Sequence, residues 1–255
     1  MIEVAHLGLS LNGRAVLAEI SFQARPGNIT VLLGPNGSGK TSLLLCLCAH
    51  YRPGQGSIKL CQQSLPDLSY RNLAHLLAVV PQDHNPIFPY KVREVILLGR
   101  ISRVGFWSQP SAQDYAVVEE IIELLQLEQL ADQPYTRISG GERQLVLIGR
   151  CLAQEPQVLL LDEPTNHLDF KNQFVILKMI KNLARQRQLT VLLTLHDPNM
   201  ALLFADHVIL LAQGRIAAQG SPLEVISPAY LSAIYQLEVE MVTAGPRHLL
   251  YPRDI

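Results

Sequence analysis

The chain has no marked excess of charge of either sign and no long apolar run. Its 255 residues include 21 Lys and Arg and 22 Asp and Glu, which gives a net charge of −1 with histidine neutral. Because the chain lacks a basic bias, we expect no nucleic acid among its partners. No apolar stretch approaches the roughly 18 residues that a membrane-spanning helix needs. Residues 1–6 also lack the basic and apolar segments of a signal peptide, so the sequence predicts a cytoplasmic protein.

Cysteine is scarce, and its four positions form no C-x-x-C pair. They are Cys46, Cys48, Cys61 and Cys151. Three of the four lie in apolar stretches, which is typical of buried, reduced thiols. The sequence therefore predicts neither a disulfide framework nor a metal site made of cysteines.

A glycine-rich segment at residues 34–41 carries the strongest chemical signal. It fits the pattern G-x-x-x-x-G-K-[ST] and consists of Gly34, Pro35, Asn36, Gly37, Ser38, Gly39, Lys40 and Thr41. In such a loop the backbone N–H groups surround phosphates, the lysine reaches the β- and γ-phosphates, and the threonine hydroxyl binds Mg²⁺. The apolar run 28–33 predicts a buried strand before the loop, and 40–47 predicts a helix after it. That context favours a nucleotide-phosphate site over a glycine turn that binds nothing.

Two acids follow a second apolar run. Residues 159–161 predict a buried strand, and Asp162 and Glu163 come directly after it. Ligands of parallel sheets bind at the carboxyl ends of the strands, so we expect both acids beside the phosphate loop. Asp162 would hold Mg²⁺ directly or through water, and Glu163 would orient or deprotonate the attacking water. The plainer alternative is a pair of acids that marks a strand end.

Two further polar residues follow predicted strands. His196 comes after the apolar run 190–194, and strand order predicts that it lies beside Glu163. There an imidazole could accept a hydrogen bond from water or donate one to a phosphate oxygen. Gln82 follows a short strand, and its carbonyl oxygen could reach Mg²⁺ or water. The chemistry of the residue alone does not decide between those ligands.

Residues 139–142 predict a second anion site. Ser139, Gly140, Gly141 and Glu142 open an apolar helix with a hydroxyl group and free N–H groups at its N-terminus. The plainer alternative is a capped helix. One nucleotide does not need two phosphate sites in one chain, so a second site makes sense if it serves a nucleotide held by another subunit.

The first half of the chain predicts two kinds of local structure. Residues 2–33 alternate apolar and polar side chains around Asn12-Gly13, which is a type I′ hairpin signal, so a small antiparallel sheet is expected there. Residues 83–155 are mostly helical in pattern, with loops at 84–86 and 105–110. A capping box at residues 111–114 opens one of these helices.

The second half predicts a parallel sheet. The continuous apolar runs 158–161 and 190–194 suit central strands covered on both faces, and a helix over about 170–187 separates them. Short helices and a strand-like run at 237–242 are expected after residue 221. The fold class is therefore α/β: a P-loop NTPase core with a mainly parallel sheet, an N-terminal antiparallel β subdomain and an inserted helical subdomain.

These motifs, in this order, resemble the ATP-binding-cassette (ABC) ATPases over about residues 2–240. The matching segments are 34–41 for Walker A, Gln82 for the Q-loop, 139–142 for the signature, 159–163 for Walker B with its glutamate, 166–169 for the D-loop and His196 for the switch histidine. The resemblance implies one ABC ATPase domain. Residues 1–82 and 156–255 would form the core and the antiparallel subdomain, and 83–155 would form the helical subdomain.

The resemblance also implies ligands and roles. ATP would bind on the loop, with Ser42 near the α-phosphate, and Mg²⁺ would be held by Thr41, Asp162 and Gln82. The catalytic residues would be Glu163, His196 and Gln82. The family pattern implies a head-to-tail homodimer in which Ser139, Gly140, Gly141 and Glu142 of one subunit contact the ATP of the other. It also implies two integral membrane permease subunits, from which a helix would dock on residues 83–107.

A finer resemblance concerns the direction of transport. Residues 95–100 and 105–115 are similar to ATPase subunits of importers for iron–siderophore, haem, cobalamin or molybdate-type substrates. Such importers imply an indirect partner, a substrate-binding protein. An exporter ATPase and a soluble non-transport ABC ATPase are the alternatives. Soluble members usually carry two cassettes or long coiled-coil or basic inserts, and this chain carries neither.

The signature departs from the family pattern with Ile138 where Leu is usual and Glu142 where Gln is frequent, both common alternatives. A third departure, at Leu11, is more telling. Leu11 occupies the place where many cassettes carry an aromatic residue that stacks on adenine. Leucine offers apolar contact but no π-face, and base–aromatic stacking is worth about 1–3 kcal/mol. We therefore predict weak discrimination between ATP and GTP.

Overall fold

The computed structural model describes residues 1–82, 89–104, 108–166, 168–245 and 247–253. The strands in these ranges are β1 (Ile2–Leu11), β2 (Arg14–Ala24), β3 (Ile29–Leu33), β4 (Gln55–Leu60), β5 (Gln63–Ser64), β6 (Leu77–Val80), β7 (Val158–Leu161), β8 (Thr190–Thr194), β9 (His207–Ala212), β10 (Arg215–Gly220), β11 (Val239–Ala244) and β12 (Arg247–Pro252). The helices are α1 (Lys40–Leu47), α2 (Tyr70–Leu76), α3 (Val92–Leu97), α4 (Ala112–Leu124), α5 (Gly140–Ala153), α6 (Phe170–Gln186), α7 (Pro198–Phe204), α8 (Pro222–Val225) and α9 (Pro228–Tyr235).

An antiparallel sheet has the strand order β2-β1-β4-β5. Strands β1 and β2 come before the phosphate loop in the sequence, and β4 and β5 come after it. Leu11 pairs with Arg14, so Asn12 and Gly13 form a two-residue turn. Their φ angles are 51° and 77°, the left-handed values that a type I′ turn requires. The predicted hairpin is confirmed.

The central sheet has the order β10-β9-β3-β8-β7-β6. Strands β9, β3, β8, β7 and β6 are parallel, and β10 pairs antiparallel with β9 at one edge. Because β3, β8 and β7 are neighbours, their carboxyl ends bring the phosphate loop, His196 and the two acids to one edge of the sheet. The predicted strands and their parallel arrangement are confirmed.

Both faces of the central sheet are covered, which explains the continuous apolar runs. Val31 and Leu33 pack into a buried cluster with residues from α3 to α7. Leu32, which points the opposite way, packs into a second cluster with α1 and the antiparallel sheet. Each apolar strand residue therefore has a buried site on one face or the other.

Within the helical region, the segment after α3 packs tightly against α5. A Cβ added at Gly99 would lie 2.0 Å from the carbonyl oxygen of Arg150, so only glycine allows this approach. The predicted capping box at 111–114 is confirmed, since Ser111 and Asp114 cap each other at the start of α4. The loop predicted at 84–86 and the first part of that predicted at 105–110 lie outside the described residues.

Arg100 joins three parts of this region. Its Nε donates to Asp114 at 2.8 Å, and its Nη1 donates to the carbonyl of Ala153 and to Glu155, both at 2.7 Å. The Ser111 hydroxyl and the Arg100 guanidinium hold the pKa of Asp114 at about 2, below its ordinary value. A buried cation paired in this way fixes the end of α5 relative to α4.

The last strands form a separate hairpin, β11–β12. The Asn199 side chain ties it to α7, because Nδ2 donates to the carbonyl of Leu250 at 3.1 Å and Oδ1 accepts from its N–H at 2.8 Å. The strand predicted at 237–242 begins at Val239 and ends at Ala244. Within the described ranges, no helix combines the length and apolar character needed to cross a membrane.

The four cysteines are free thiols, but only two of them are buried. Cys46 and Cys151 are buried, and Cys48 and Cys61 are partly exposed. Burial raises the pKa of Cys46 to about 11 and that of Cys151 to about 12. Among the described residues, no cluster of three or more His, Cys, Asp or Glu side chains could hold a metal ion.

Candidate active site

The phosphate loop connects the end of β3 to the start of α1, in a backbone conformation that glycine permits. Gly34 has φ 148°, and a Cβ there would lie 2.1 Å from the carbonyl oxygen of Leu211. Gly39, which caps α1, has φ 106°. The Ser38 hydroxyl is buried and has no hydrogen-bond partner among the described residues. Such a loop at the N-terminus of a helix suits an anion with several oxygens.

Lys40 lies under this loop. Its Nζ donates to the carbonyls of Gly34 at 2.7 Å and Pro35 at 3.2 Å, and the residue is 6% exposed. Burial lowers the pKa of Lys40, and the charges of Glu163 and Asp162 oppose that shift. The ammonium group is thus held where phosphates on the loop would meet it.

Thr41 and Asp162 bring two oxygen ligands together. Thr41 Oγ1 donates to Asp162 Oδ2 at 3.0 Å, and Asp162 is buried at the end of β7. Hydroxyl and carboxylate oxygens beside a phosphate site are the donors that Mg²⁺ prefers. The residues present therefore fit the predicted metal.

Glu163 is the most heavily bonded residue of the site. Its Oε1 lies 2.6 Å from Nε2 of His196, and its Oε2 accepts from Nε2 of Gln82 at 2.8 Å and from Nδ2 of Asn166 at 3.3 Å. Its backbone is left-handed, with φ 49°, and its N–H donates to Oγ1 of Thr194 at 2.7 Å. A non-glycine residue in this conformation is held there by its surroundings.

A cavity of about 610 Å³ joins these groups. It is lined by Val16, Asn36, Gly37, Gly39, Lys40, Thr41, Ser42, Gln82, Glu163, Asn166 and His196. Its volume is in the range of small-molecule sites. The structure thus brings together the loop, Ser42, Gln82, Glu163 and His196, with Asp162 directly beside Thr41.

Leu11 is not among the residues that line this cavity, whereas Val16 is. Leu11 ends β1, across the hairpin turn, and packs partly buried against the second apolar cluster. Neither Val16 nor Thr194 belongs to a motif in the sequence. The only sequence signal for Thr194 is a polar residue at the end of an otherwise apolar strand, and for Val16 there is none.

The segment 139–142 lies elsewhere in the chain and lines a different surface. Ser139 caps α5: its Oγ accepts from the N–H of Glu142 at 3.4 Å, and Glu142 Oε2 accepts from the N–H of Ser139 at 2.7 Å. Ser139 and Gly140 are exposed. The capped helix is present, and its residues do not reach the cavity of the same chain.

Comparisons with known proteins agree over almost the whole chain. The sequence pattern of the ABC transporter family matches residues 17–166. A Helicobacter pylori protein named "Probable iron chelatin transport ATP-binding protein" is 34% identical over 252 residues, covering 98% of this chain and 99% of its own. A hemin import ATP-binding protein of Chelativorans sp. is 37% identical over 262 residues, covering 99% and 98%. A solved structure described as an inward-facing metal-chelate type ABC transporter gives a TM-score of 0.88 at 30% identity, covering 98% of this chain and 96% of that chain.

The family match spans more than half of the 255 residues and contains the phosphate loop, Gln82, the segment 139–142 and both acids. His196 lies beyond that match but within the length shared with the two relatives. The chain therefore belongs to the ABC transporter family, and within it to the ATP-binding subunits.

Proposed function

We propose that this subunit hydrolyses Mg²⁺-ATP to drive the uptake of a metal chelate through separate membrane subunits. Its curated relatives are named for iron chelatin transport and hemin import, and the similar solved structure is of the metal-chelate type. These names support import over export. The chain would work indirectly with a substrate-binding protein, and it would sit at the cytoplasmic face of the membrane.

The observation that carries the hydrolytic part is the placement of Glu163. Its carboxylate faces the cavity of the phosphate loop and is held by His196 and Gln82. A carboxylate fixed in this way can accept a proton from water and aim the oxygen at a γ-phosphate. Within the described ranges, no other acid lines that cavity.

Each group then has a part in turning ATP and water into ADP and phosphate. The loop N–H groups and Lys40 bind the β- and γ-phosphates, and Ser42 lies towards the α-phosphate. Thr41, Asp162 and the amide oxygen of Gln82 would hold Mg²⁺, which when bound neutralises charge on the β- and γ-phosphate oxygens. Catalysis consists mainly of positioning and charge stabilisation, because phosphoryl transfer needs little covalent chemistry from the protein.

Glu163 orients the attacking water in line with the bond to the leaving ADP and takes its proton. His196 donates to a γ-phosphate oxygen or to Glu163, and its contact with Glu163 at 2.6 Å supports this role. Gln82 holds Glu163 with its amide nitrogen, so its amide oxygen is the end that can turn towards Mg²⁺.

The segment 139–142 would serve a second copy of the chain. Ser139 Oγ accepts from the backbone at the start of α5, which leaves its proton free to donate to a phosphate. The helix N-terminus adds N–H groups with partial positive charge. Because this segment does not line the cavity of its own chain, a head-to-tail homodimer with Ser139, Gly140, Gly141 and Glu142 over the partner's ATP accounts for it.

The membrane subunits would dock on the helical region. An open groove of about 680 Å³ lies between α2 and the segment after α3, and its apolar lining includes Leu97 and Val104. Tyr70 and Ile101, which also line it, are 85% and 66% exposed. This surface would receive a helix from each of two permease subunits. Residues 83–155 would then move as a helical subdomain on the core of 1–82 and 156–255.

The test is Glu163→Gln in the full chain. This variant keeps the size of the side chain but replaces one carboxylate oxygen by an NH2 group and cannot take a proton. It should therefore bind ATP, accumulate as a closed dimer and not turn over. Phosphate release and size-exclusion chromatography with MgATP measure both effects. Normal phosphate release by this variant would contradict the catalytic role of Glu163. ATP-dependent uptake of haem or a ferric chelate by the chain reconstituted with its permease in proteoliposomes tests import.

A further inference from the structure

Thr194 lies between the two acids of the site. It is the last residue of β8 and is fully buried. Its Oγ1 lies 2.7 Å from Asp162 Oδ1 and 2.7 Å from the backbone nitrogen of Glu163. We propose that Thr194 is a positioning residue for ATP hydrolysis, which fixes the backbone of Glu163 and thereby aims its carboxylate. This inference rests on the proposed role of Glu163.

The directions of the two hydrogen bonds are fixed by chemistry. The N–H of Glu163 can only donate, so Thr194 Oγ1 accepts there. Its single proton therefore goes to Asp162, which as a carboxylate accepts. The other oxygen of Asp162 accepts from Thr41 at 3.0 Å. A continuous chain of hydrogen bonds thus runs from the phosphate-loop helix through Asp162 and Thr194 to the backbone of Glu163.

Glu163 needs such an anchor because its backbone is left-handed, with φ 49°. For a side chain with a Cβ this conformation persists only where neighbouring groups determine it. The bond from its N–H to Thr194 comes from the adjacent strand and supplies that restraint. With the backbone fixed, the carboxylate meets both His196 and Gln82.

The same strand offers a matched control. Thr190 begins β8, is also fully buried, and its hydroxyl has no hydrogen-bond partner in the described part of the chain. Thr190→Val therefore removes a buried hydroxyl from the same strand without breaking a link to the site. Thr194→Val removes the hydroxyl while keeping the shape, and Thr194→Ser keeps the hydroxyl while removing the methyl.

The experiment compares these variants of the full chain by Mg²⁺-ATPase kinetics and thermal unfolding. Thr194→Val should lower kcat by about tenfold to a hundredfold, the usual range for outer residues that orient a site, with the KM for ATP changed by about twofold at most. Thr194→Ser should restore most of kcat, and Thr190→Val should leave kcat and KM unchanged. Should Thr194→Val not fold, Thr194→Ala breaks the same two bonds and gives the same comparison.

Two outcomes overturn the inference. The first is a wild-type kcat in Thr194→Val. The second is an equal loss of kcat in Thr194→Val, Thr194→Ser and Thr190→Val, because equal losses would indicate a structural effect. Glu163→Gln, measured alongside, separates the two hypotheses. If Glu163→Gln is inactive and Thr194→Val is fully active, only the role of Thr194 is wrong. If Glu163→Gln turns over normally, the proposed role of Glu163 fails, and the role of Thr194 fails with it.

Discussion

Nε2 of His196 lies 2.6 Å from Oε1 of Glu163, although the two residues follow different strands. Strands β7 and β8 are parallel neighbours, so their carboxyl ends meet at the same edge of the sheet. Glu163 is largely buried, whereas the His196 side chain is 47% exposed. The imidazole therefore stays accessible from the cavity while it contacts the carboxylate.

Removing this contact should slow hydrolysis. His196→Ala leaves Glu163 without one of its partners and removes a donor to the γ-phosphate, so we expect turnover to fall by about a hundredfold or more. Phosphate release at saturating ATP measures the effect. His6 provides a matched control, since its Nδ1 lies 3.0 Å from Glu19 at an exposed site. His6→Ala should not change turnover, and an equal loss in both variants would contradict the assignment.

Mixing two inactive variants should restore activity if each site is shared. Lys40→Ala damages the phosphate loop, and Ser139→Arg blocks the segment that faces the partner. In a mixed dimer, one site combines the intact loop of one chain with the intact Ser139 of the other. We therefore expect phosphate release to appear on mixing the two inactive proteins. If Ser139 served its own chain's nucleotide, every site in the mixture would carry a damaged part, and no activity would return.

Nucleotide selectivity should be weak and should respond to residue 11. Leu11 provides no aromatic face, and the apolar side chain that lines the cavity in the described part of the chain is that of Val16. We expect GTP to be hydrolysed nearly as well as ATP, and Leu11→Tyr to raise the ATP preference by up to the roughly 1–3 kcal/mol of a stacked base. Competition between ATP and GTP measures it, with Leu11→Met as an apolar control. A strong ATP preference in the wild-type chain would contradict the hypothesis.

The Asp114–Arg100 pair should make stability depend on acid pH. Because the pKa of Asp114 is about 2 in the folded chain, the carboxylate stabilises the fold above its ordinary pKa near 4. That contribution is lost as pH falls from about 4 towards 2. Asp114→Asn should be less stable at neutral pH and should lose less stability over that interval. Urea unfolding at a series of pH values tests this, with Asp67→Asn at an exposed carboxylate as the control.

Much of the site could be predicted because its signals are local. The phosphate loop is a fixed pattern between an apolar strand and a helix, and the acids directly follow a fully buried strand. The contact between His196 and Glu163 required only that the two apolar runs be adjacent parallel strands. The hairpin turn is likewise predicted by two adjacent residues, Asn12 and Gly13.

Other features depend on relationships that a single sequence does not contain. Thr194 reaches both acids because β7 and β8 pair with Leu161 opposite Leu193, and register is a property of the assembled sheet. Strand β10 lies at a sheet edge and alternates exposed with half-buried residues, none of them fully buried, so it gives a weak signal. Strand β12 was not predicted either, because its hairpin gains its stability by packing on α7 rather than from its own pattern.

The left-handed backbone of Glu163 also bears on how this protein can be stabilised. Glycine would adopt a φ of 49° without the roughly 1–2 kcal/mol that a side chain costs there. A screen that selects variants for thermal stability alone is therefore expected to favour loss of this carboxylate. Thermostable variants chosen without an activity assay should be sequenced at position 163 first. A substitution there that raises thermal stability is expected to lower ATP turnover.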